Sequence, residues 1–236
     1  MRLEDIPEQY FRRQDESSDF AFYQSPRLVA HIDDAAIAAL GDFFRPRIPD
    51  NADVLDLMSA YLTHLPPDVQ ARCRRVAGLG MNEAEMAANG QLTDHIVHSL
   101  NDAPALPYAD GSFDVALCTV SVQYLLHPVE IFAEVRRVLR PGGRFLVSFS
   151  NRCFPTKATR LWLGMDDAQH VALVRLYFEQ SGGWEPVEAF DISPRPGRSD
   201  PLFVVTGRTP SQPPLQGEKR PTPNPLPRGE GADQNS

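Results

Sequence analysis

The sequence has no apolar run near the roughly 18 residues that cross a bilayer, so no membrane span is expected. It has no Cys-x-x-Cys pair: Cys73, Cys118 and Cys153 stand far apart. That spacing excludes a disulfide framework and a cysteine zinc site, and predicts reduced thiols in a cytoplasmic protein. Positive charge is also scarce. The formal net charge is −8 and the pI about 5.2, which excludes a general nucleic-acid surface built on clustered Lys and Arg. The first twenty residues lack an apolar stretch and carry Arg2, Glu4, Asp5, Arg12, Arg13, Asp15 and Glu16, so no signal peptide is expected. No nucleophile elbow, no Walker loop, no metal-ligand cluster and no internal repeat is present.

What is present is a 42% apolar chain of 236 residues, enough for one domain with a sizeable core. The segment 209–236 departs from that composition. It carries Pro210, Pro213, Pro214, Pro221, Pro223, Pro225 and Pro227, with only Leu215, Leu226 and Ala232 as apolar residues. Such a stretch cannot bury enough surface to offset its ordering entropy, so it reads as a disordered tail with polyproline character.

The remainder alternates. Asp33–Phe44 has helical spacing, with Ala36, Ile37, Leu40, Phe43 and Phe44 on one face. Asp53–Leu57, Arg75–Leu79, Ile96–Val97, "FDVALCTV" (113–120) and "RFLVSFS" (144–150) read as strands. Ala84–Ala88, Pro128–Leu139 and Leu161–Gln180 read as helices, with "RPGG" (140–143) ending the second. Val187–Ile192 and Leu202–Gly207 close the pattern without a helix between them, so they should pair antiparallel. This order predicts an α/β fold: a doubly wound, seven-stranded, mostly parallel sheet with helices on both faces and an antiparallel C-terminal strand pair. The expected division is an N-terminal helical extension or lid over 1–45, the core domain over 46–208, and the tail over 209–236.

Three stretches give the chain a family likeness. They are "LPYADGSFDVALCTVSVQYLLHP" (106–128), "EVRRVLRPGGRFLVSFS" (134–150) and Asp102-Ala103 just ahead of Leu106-Pro107. Over roughly Val54 to Arg208 the chain resembles the class I S-adenosylmethionine-dependent methyltransferases, in particular the small type 11 domain. The resemblance implies a Rossmann-like sheet, S-adenosyl-L-methionine as cofactor, and adenine contacts from Asp102 and Ala103.

Two cofactor motifs depart from the family. Its Asp-x-Gly-x-Gly-x-Gly turn would place glycines at 58, 60 and 62, where this chain has Met58, Ala60 and Leu62. Those glycines give backbone freedom and close approach to a ligand. In "VLDLMSAYLTHLPP" (54–67), Asp56 is kept, and Ser59 is placed to cap a short helix starting at Ala60 and stopped by Pro66-Pro67, with a second piece near Asp68. The acid that grips the ribose in the family is replaced by Gly80, with Asn82 two residues on as an uncharged substitute. The expected cofactor contacts are therefore Asp56, Met58, Ser59, Asn82, Asp102, Ala103 and Val120.

Doubly wound sheets bind ligands beyond the carboxyl ends of their strands. That places Ser121, Gln123 and Tyr124 on the acceptor side, with Tyr23 reaching in from the N-terminal segment alongside His31 and Asp33. His64 is a candidate base, and Arg152 and Lys157 are candidate contacts to an anionic acceptor, or plain surface cations. No catalytic residue is assigned, because methyl transfer needs alignment and desolvation more than a base. The expected function is transfer of a methyl group to a small-molecule acceptor, without nucleic acid, membrane or metal. The alternative is a non-catalytic member of the fold that binds a ligand or partner and has lost the cofactor. The acceptor and the oligomeric state are not specified by the sequence.

Overall fold

The computed structural model describes residues 2–211. A seven-stranded sheet runs through the molecule in the order β3-β2-β1-β4-β5-β7-β6. Its strands are β1 (Asp53–Leu57), β2 (Arg75–Gly80), β3 (Asp94–Val97), β4 (Phe113–Thr119), β5 (Leu139–Phe149), β6 (Val187–Asp191) and β7 (Phe203–Arg208). The first five pair in parallel, while β7 pairs antiparallel with both β5 and β6. The doubly wound expectation holds, including the antiparallel closing pair.

The helices are α1 (Asp19–Phe22), α2 (Asp34–Phe44), α3 (Pro67–Gln70), α4 (Glu83–Ala88), α5 (Pro128–Val138), α6 (Arg160–Leu163) and α7 (Asp167–Ser181). Strand β1 is buried along its whole length, as a central parallel strand covered on both faces has to be. One core cluster gathers Phe132 of α5 with Phe145 of β5 and Phe178 of α7. A second joins Leu40, Phe43 and Phe44 of α2 to Val54, Val115, Leu146 and Val204 of the sheet. Truncating a fully buried ring such as Phe132 to Ala should cost about 3–5 kcal/mol.

The structure differs from expectation in three places. Leu161–Gln180 is two helices. Gly164 ends α6, and Asp166 opens α7 with a capping box, accepting from Gln169 N while the Gln169 side chain accepts from Asp166 N. "RPGG" lies inside β5 as an irregularity: pairing with β4 steps from Phe113–Leu139 to Val115–Arg144, and Gly142 takes φ +79° there. Thirdly, no helix starts at Ala60, and 58–66 is irregular up to α3.

Among the described residues no helix is long and apolar enough to cross a membrane. The proline-rich stretch 212–236 lies outside the described residues. Thr209 lies within them and is buried: its N–H donates to the Gly143 carbonyl and its Oγ1 to the Arg140 carbonyl.

Candidate functional site

A cavity of about 360 Å³ opens beyond the carboxyl ends of the parallel strands. Its size is ordinary for a small-molecule site. Its floor comes from the turns after β1, β2, β3, β4 and β5, and residues between Asp19 and His31, with Glu85 of α4, contribute the rest of the wall.

The irregular turn after β1 sets the floor. Ser59 N donates to the Leu79 carbonyl at 2.9 Å, so the chain continues alongside β2 and does not turn up into a helix. Ser59 Oγ and Thr63 Oγ1 both donate to Asp56 Oδ2, at 2.6 and 2.9 Å. Ser59 therefore caps Asp56, not a helix, which corrects the sequence expectation. Asn89 donates to the Ala60 carbonyl and to Thr63 Oγ1, and Gln91 accepts from Thr63 N. Side chains that follow α4 thus supply the hydrogen bonds a helix would have made for itself.

Backbone strain gathers at this site. Met58, His64 and Val120 have φ of +55°, +62° and +45°, and all three line the cavity. For a β-branched residue such as Val120 this is a genuine outlier, of the kind that persists where the surroundings enforce it. Gln123 helps enforce it by donating from Nε2 to the Val120 carbonyl at 2.8 Å. Met58 packs against the first core cluster and also lines the cavity.

Burial governs the electrostatics. Asp56 has its pKa pushed up to about 6 by burial, against the pull of Ser59 and Thr63. His64 is pushed down to about 4 by burial, with His31 adding repulsion, and its Nδ1 has no partner. Burial raises the Tyr124 hydroxyl to about 12, while the Phe154 N–H bonded to it works in the other direction.

Of the expected cofactor contacts, Asp56, Met58, Ser59, Asn82 and Val120 line the cavity. Asp102 and Ala103 do not: both are exposed. The turn there closes with Ala103 N on the Ser99 carbonyl, and Asn101 is the residue drawn inward. Its Nδ2 donates to Asp19 Oδ2 and the Tyr124 carbonyl, and its Oδ1 accepts from Leu126 N. Asn82 is also fully engaged, donating to the Tyr23 and Gln24 carbonyls and capping α4 through Glu85 N. It anchors the N-terminal segment.

Of the expected acceptor-side residues, Tyr23, His31, Ser121, Tyr124 and Arg152 line the cavity. Gln123 stands behind the wall. Asp33 caps α2 and exchanges hydrogen bonds with Asp200, away from the cavity. Lys157 is neither a surface cation nor a ligand contact. It is 0% exposed, 3.1 Å from Asp19 and 3.3 Å from Asp15. Asp19 is also held by Arg13, and burial, which alone would raise its pKa, is outweighed by Arg13, Asn101 and Lys157.

Arg27, Glu85 and Phe154 of the lining escaped the sequence reading. Glu85 sits in the first turn of α4, where an acid is ordinary helix chemistry, so its placement in a cavity leaves no separate signal. Arg27 lies in a segment without periodicity.

Residues 55–147 match the family model for a methyltransferase domain. Over those residues, less than half of the chain, it is similar to a methyltransferase domain. A malonyl-[acyl-carrier protein] O-methyltransferase of Marinomonas sp. is 28% identical over 101 residues, 42% of this chain and 37% of that protein. A ubiquinone/menaquinone biosynthesis C-methyltransferase of Dinoroseobacter shibae is 34% identical over 127 residues, 52% of this chain and 43% of that protein. The matched segments therefore span less than half the length of those two relatives. Among solved structures, the 1,6-didemethyltoxoflavin-N1-methyltransferase of Burkholderia thailandensis, with bound 1,6-didemethyltoxoflavin and S-adenosylhomocysteine, shares the fold. Its TM-score is 0.52 at 18% identity, covering 75% of this chain and 80% of that one.

Proposed function

We propose that this protein transfers a methyl group from S-adenosylmethionine to a small-molecule acceptor held in the cavity. One observation carries the reading. Two buried carboxylates, Asp56 and Glu85, line the cavity with hydrogen-bond donors but no cation within 4 Å among the described residues. A buried acid without a counter-charge is costly, and a positively charged ligand group beside it offsets that cost. When bound, the cofactor supplies an electrophilic methyl on a sulfonium.

The residues fit that group in charge and position, although not through the family's own motif. Asp56 holds its place at the end of β1. Glu85, one helical turn beyond β2, supplies the carboxylate that Gly80 lacks. Met58, Leu79 and Leu100 offer apolar surface to the adenosyl portion. The segment Asp19 to His31, tied down through Asn82, Glu85, Asn101 and the Lys157–Asp19 ion pair, acts as the lid that keeps water out. His64 is a weak base, because a pKa near 4 lies far below the working pH. The chain is thus suited to acceptors already nucleophilic at neutral pH.

Calorimetry with S-adenosylmethionine and S-adenosylhomocysteine tests the reading. Ligand at about 100 times its dissociation constant should add about 2.7 kcal/mol to stability in a parallel melt. No heat and no shift at millimolar ligand would sink it. That outcome favours the second reading, a fold that binds another ligand without transferring methyl, which is supported by the closed end of β2 and the outward Asp102.

A further inference from the structure

Arg27 has an unusual setting for a cation. Its guanidinium carbon lies 4.8 Å over the Phe22 ring, 5.2 Å from that of Phe154 and 5.7 Å from that of Tyr23. Nη2 donates to the Phe22 carbonyl at 3.1 Å. Nη1 is buried and has no partner, and among the described residues no carboxylate lies within 4 Å of the group. Arg13 and Lys157, the neighbouring buried cations, are each paired with Asp19. Arg27 is therefore a held, partly desolvated guanidinium on a cavity wall, with an unused donor.

Its position is built from outside. Glu85 Oε1 accepts the Arg27 backbone N–H at 2.6 Å, and Asn82 holds the carbonyls of Tyr23 and Gln24. None of the carboxylates that line the cavity pairs with this guanidinium: Asp19 is held by Arg13, Lys157 and Asn101, Asp56 accepts from Ser59 and Thr63, and Glu85 accepts from the Arg27 backbone N–H. Around Arg27 the wall is aromatic. Tyr124 stacks on Phe154 at 6.1 Å, and Tyr23 and His31 meet Phe154 edge-on at 6.4 and 5.8 Å.

We propose that the acceptor carries a carboxylate, bound by Arg27, on a flat apolar body that packs against Tyr23, Tyr124 and Phe154. This rests on the methyltransferase reading for the word acceptor, but not for the binding. A guanidinium with Nη2 committed to a carbonyl matches one singly charged carboxylate better than a phosphate dianion.

The experiment uses the full chain and a panel of aromatic carboxylates, each with its matching primary amide and phosphate monoester. Benzoate, benzamide and phenyl phosphate form the simplest set. Binding is read by saturation-transfer NMR and calorimetry. Carboxylates should bind about tenfold or more tighter than their amides, as a charge-assisted contact allows. Arg27→Gln should abolish that preference and Arg27→Lys should retain part of it, with thermal melts confirming that both variants fold. Equal binding of acids and amides, stronger binding of phosphates, or no binding by any carboxylate overturns the proposal. A second arm compares S-adenosylhomocysteine with 5′-methylthioadenosine, which lacks the amino-acid carboxylate. If Arg27→Gln weakens only the former, Arg27 serves the cofactor and the proposal fails. If neither compound binds the natural protein, the methyltransferase reading fails while the carboxylate preference is still read by the first arm.

Discussion

The backbone carbonyl oxygen of Ser59 occupies the space that any side chain on Gly80 would need; a Cβ built there would overlap it and touch Met86 Sδ. The two departures from the family's cofactor motif are thus one structural event. With no glycines in the turn after β1, the chain runs along β2, and only glycine at the end of β2 leaves room for it. Restoring the family's acid at position 80 would drive a carboxylate into a carbonyl oxygen.

Gly80→Ala should therefore destabilise the fold by about 3 kcal/mol, the upper range for overpacking against backbone that cannot give. Urea denaturation measures it. A loss below about 0.5 kcal/mol, typical of an unconstrained surface position, would mean that the turn moves aside.

Asp56 and His64 oppose each other in acid. Asp56 has its folded pKa raised from 3.8 to about 6, so its contribution is present at low pH and lost as pH rises through 6. His64 has its folded pKa lowered from 6.5 to about 4, so its contribution is present above 6.5 and lost as pH falls through 4. Each is worth roughly 3 kcal/mol at 1.36 kcal/mol per unit. Asp56→Asn should raise stability at pH 8 by an amount of that order, and make stability fall steeply from pH 6.5 to 4. It should also weaken cofactor binding. Equal melting temperatures for variant and natural protein at pH 8 would contradict a buried, ionised Asp56.

Lys157 joins Asp15 and Asp19 beneath the N-terminal segment, and Asp19 in turn holds Asn101. Lys157→Met should cost about 3 kcal/mol, the lower end for breaking a buried ion pair, because Arg13 still neutralises Asp19. Limited proteolysis should then cut near Ser17–Arg27 sooner than in the natural protein. Unchanged melting and unchanged cleavage would show that the network does not hold the segment down.

Ending the chain after Arg208 removes the Thr209 and Pro210 hydrogen bonds to Arg140, Gly142 and Gly143. Ending it after Ser211 keeps them. The shorter chain should be less stable by about 1–3 kcal/mol, the cost of leaving such groups unmet. Parallel thermal melts compare the two.

The sequence by itself determined the elements and their order. Apolar runs such as "FDVALCTV" and the helical spacing of Pro128–Val138 are local patterns, set by which faces of a strand or helix are buried, and they survive in the structure nearly residue for residue. The family likeness carried the position of the site, since strand order places the carboxyl ends together. Tertiary structure alone decided which side chains meet there. Whether Asn101 or Asp102 turns inward depends on Asp19, 82 residues away from Asn101 in sequence. Lys157 becomes a buried cation because Asp15 and Asp19 reach it from across the fold. Arg27 faces a cavity through Glu85, 58 residues on. These placements are set by hydrogen bonds and ion pairs between distant segments, and a side chain's own neighbours in sequence carry no record of them.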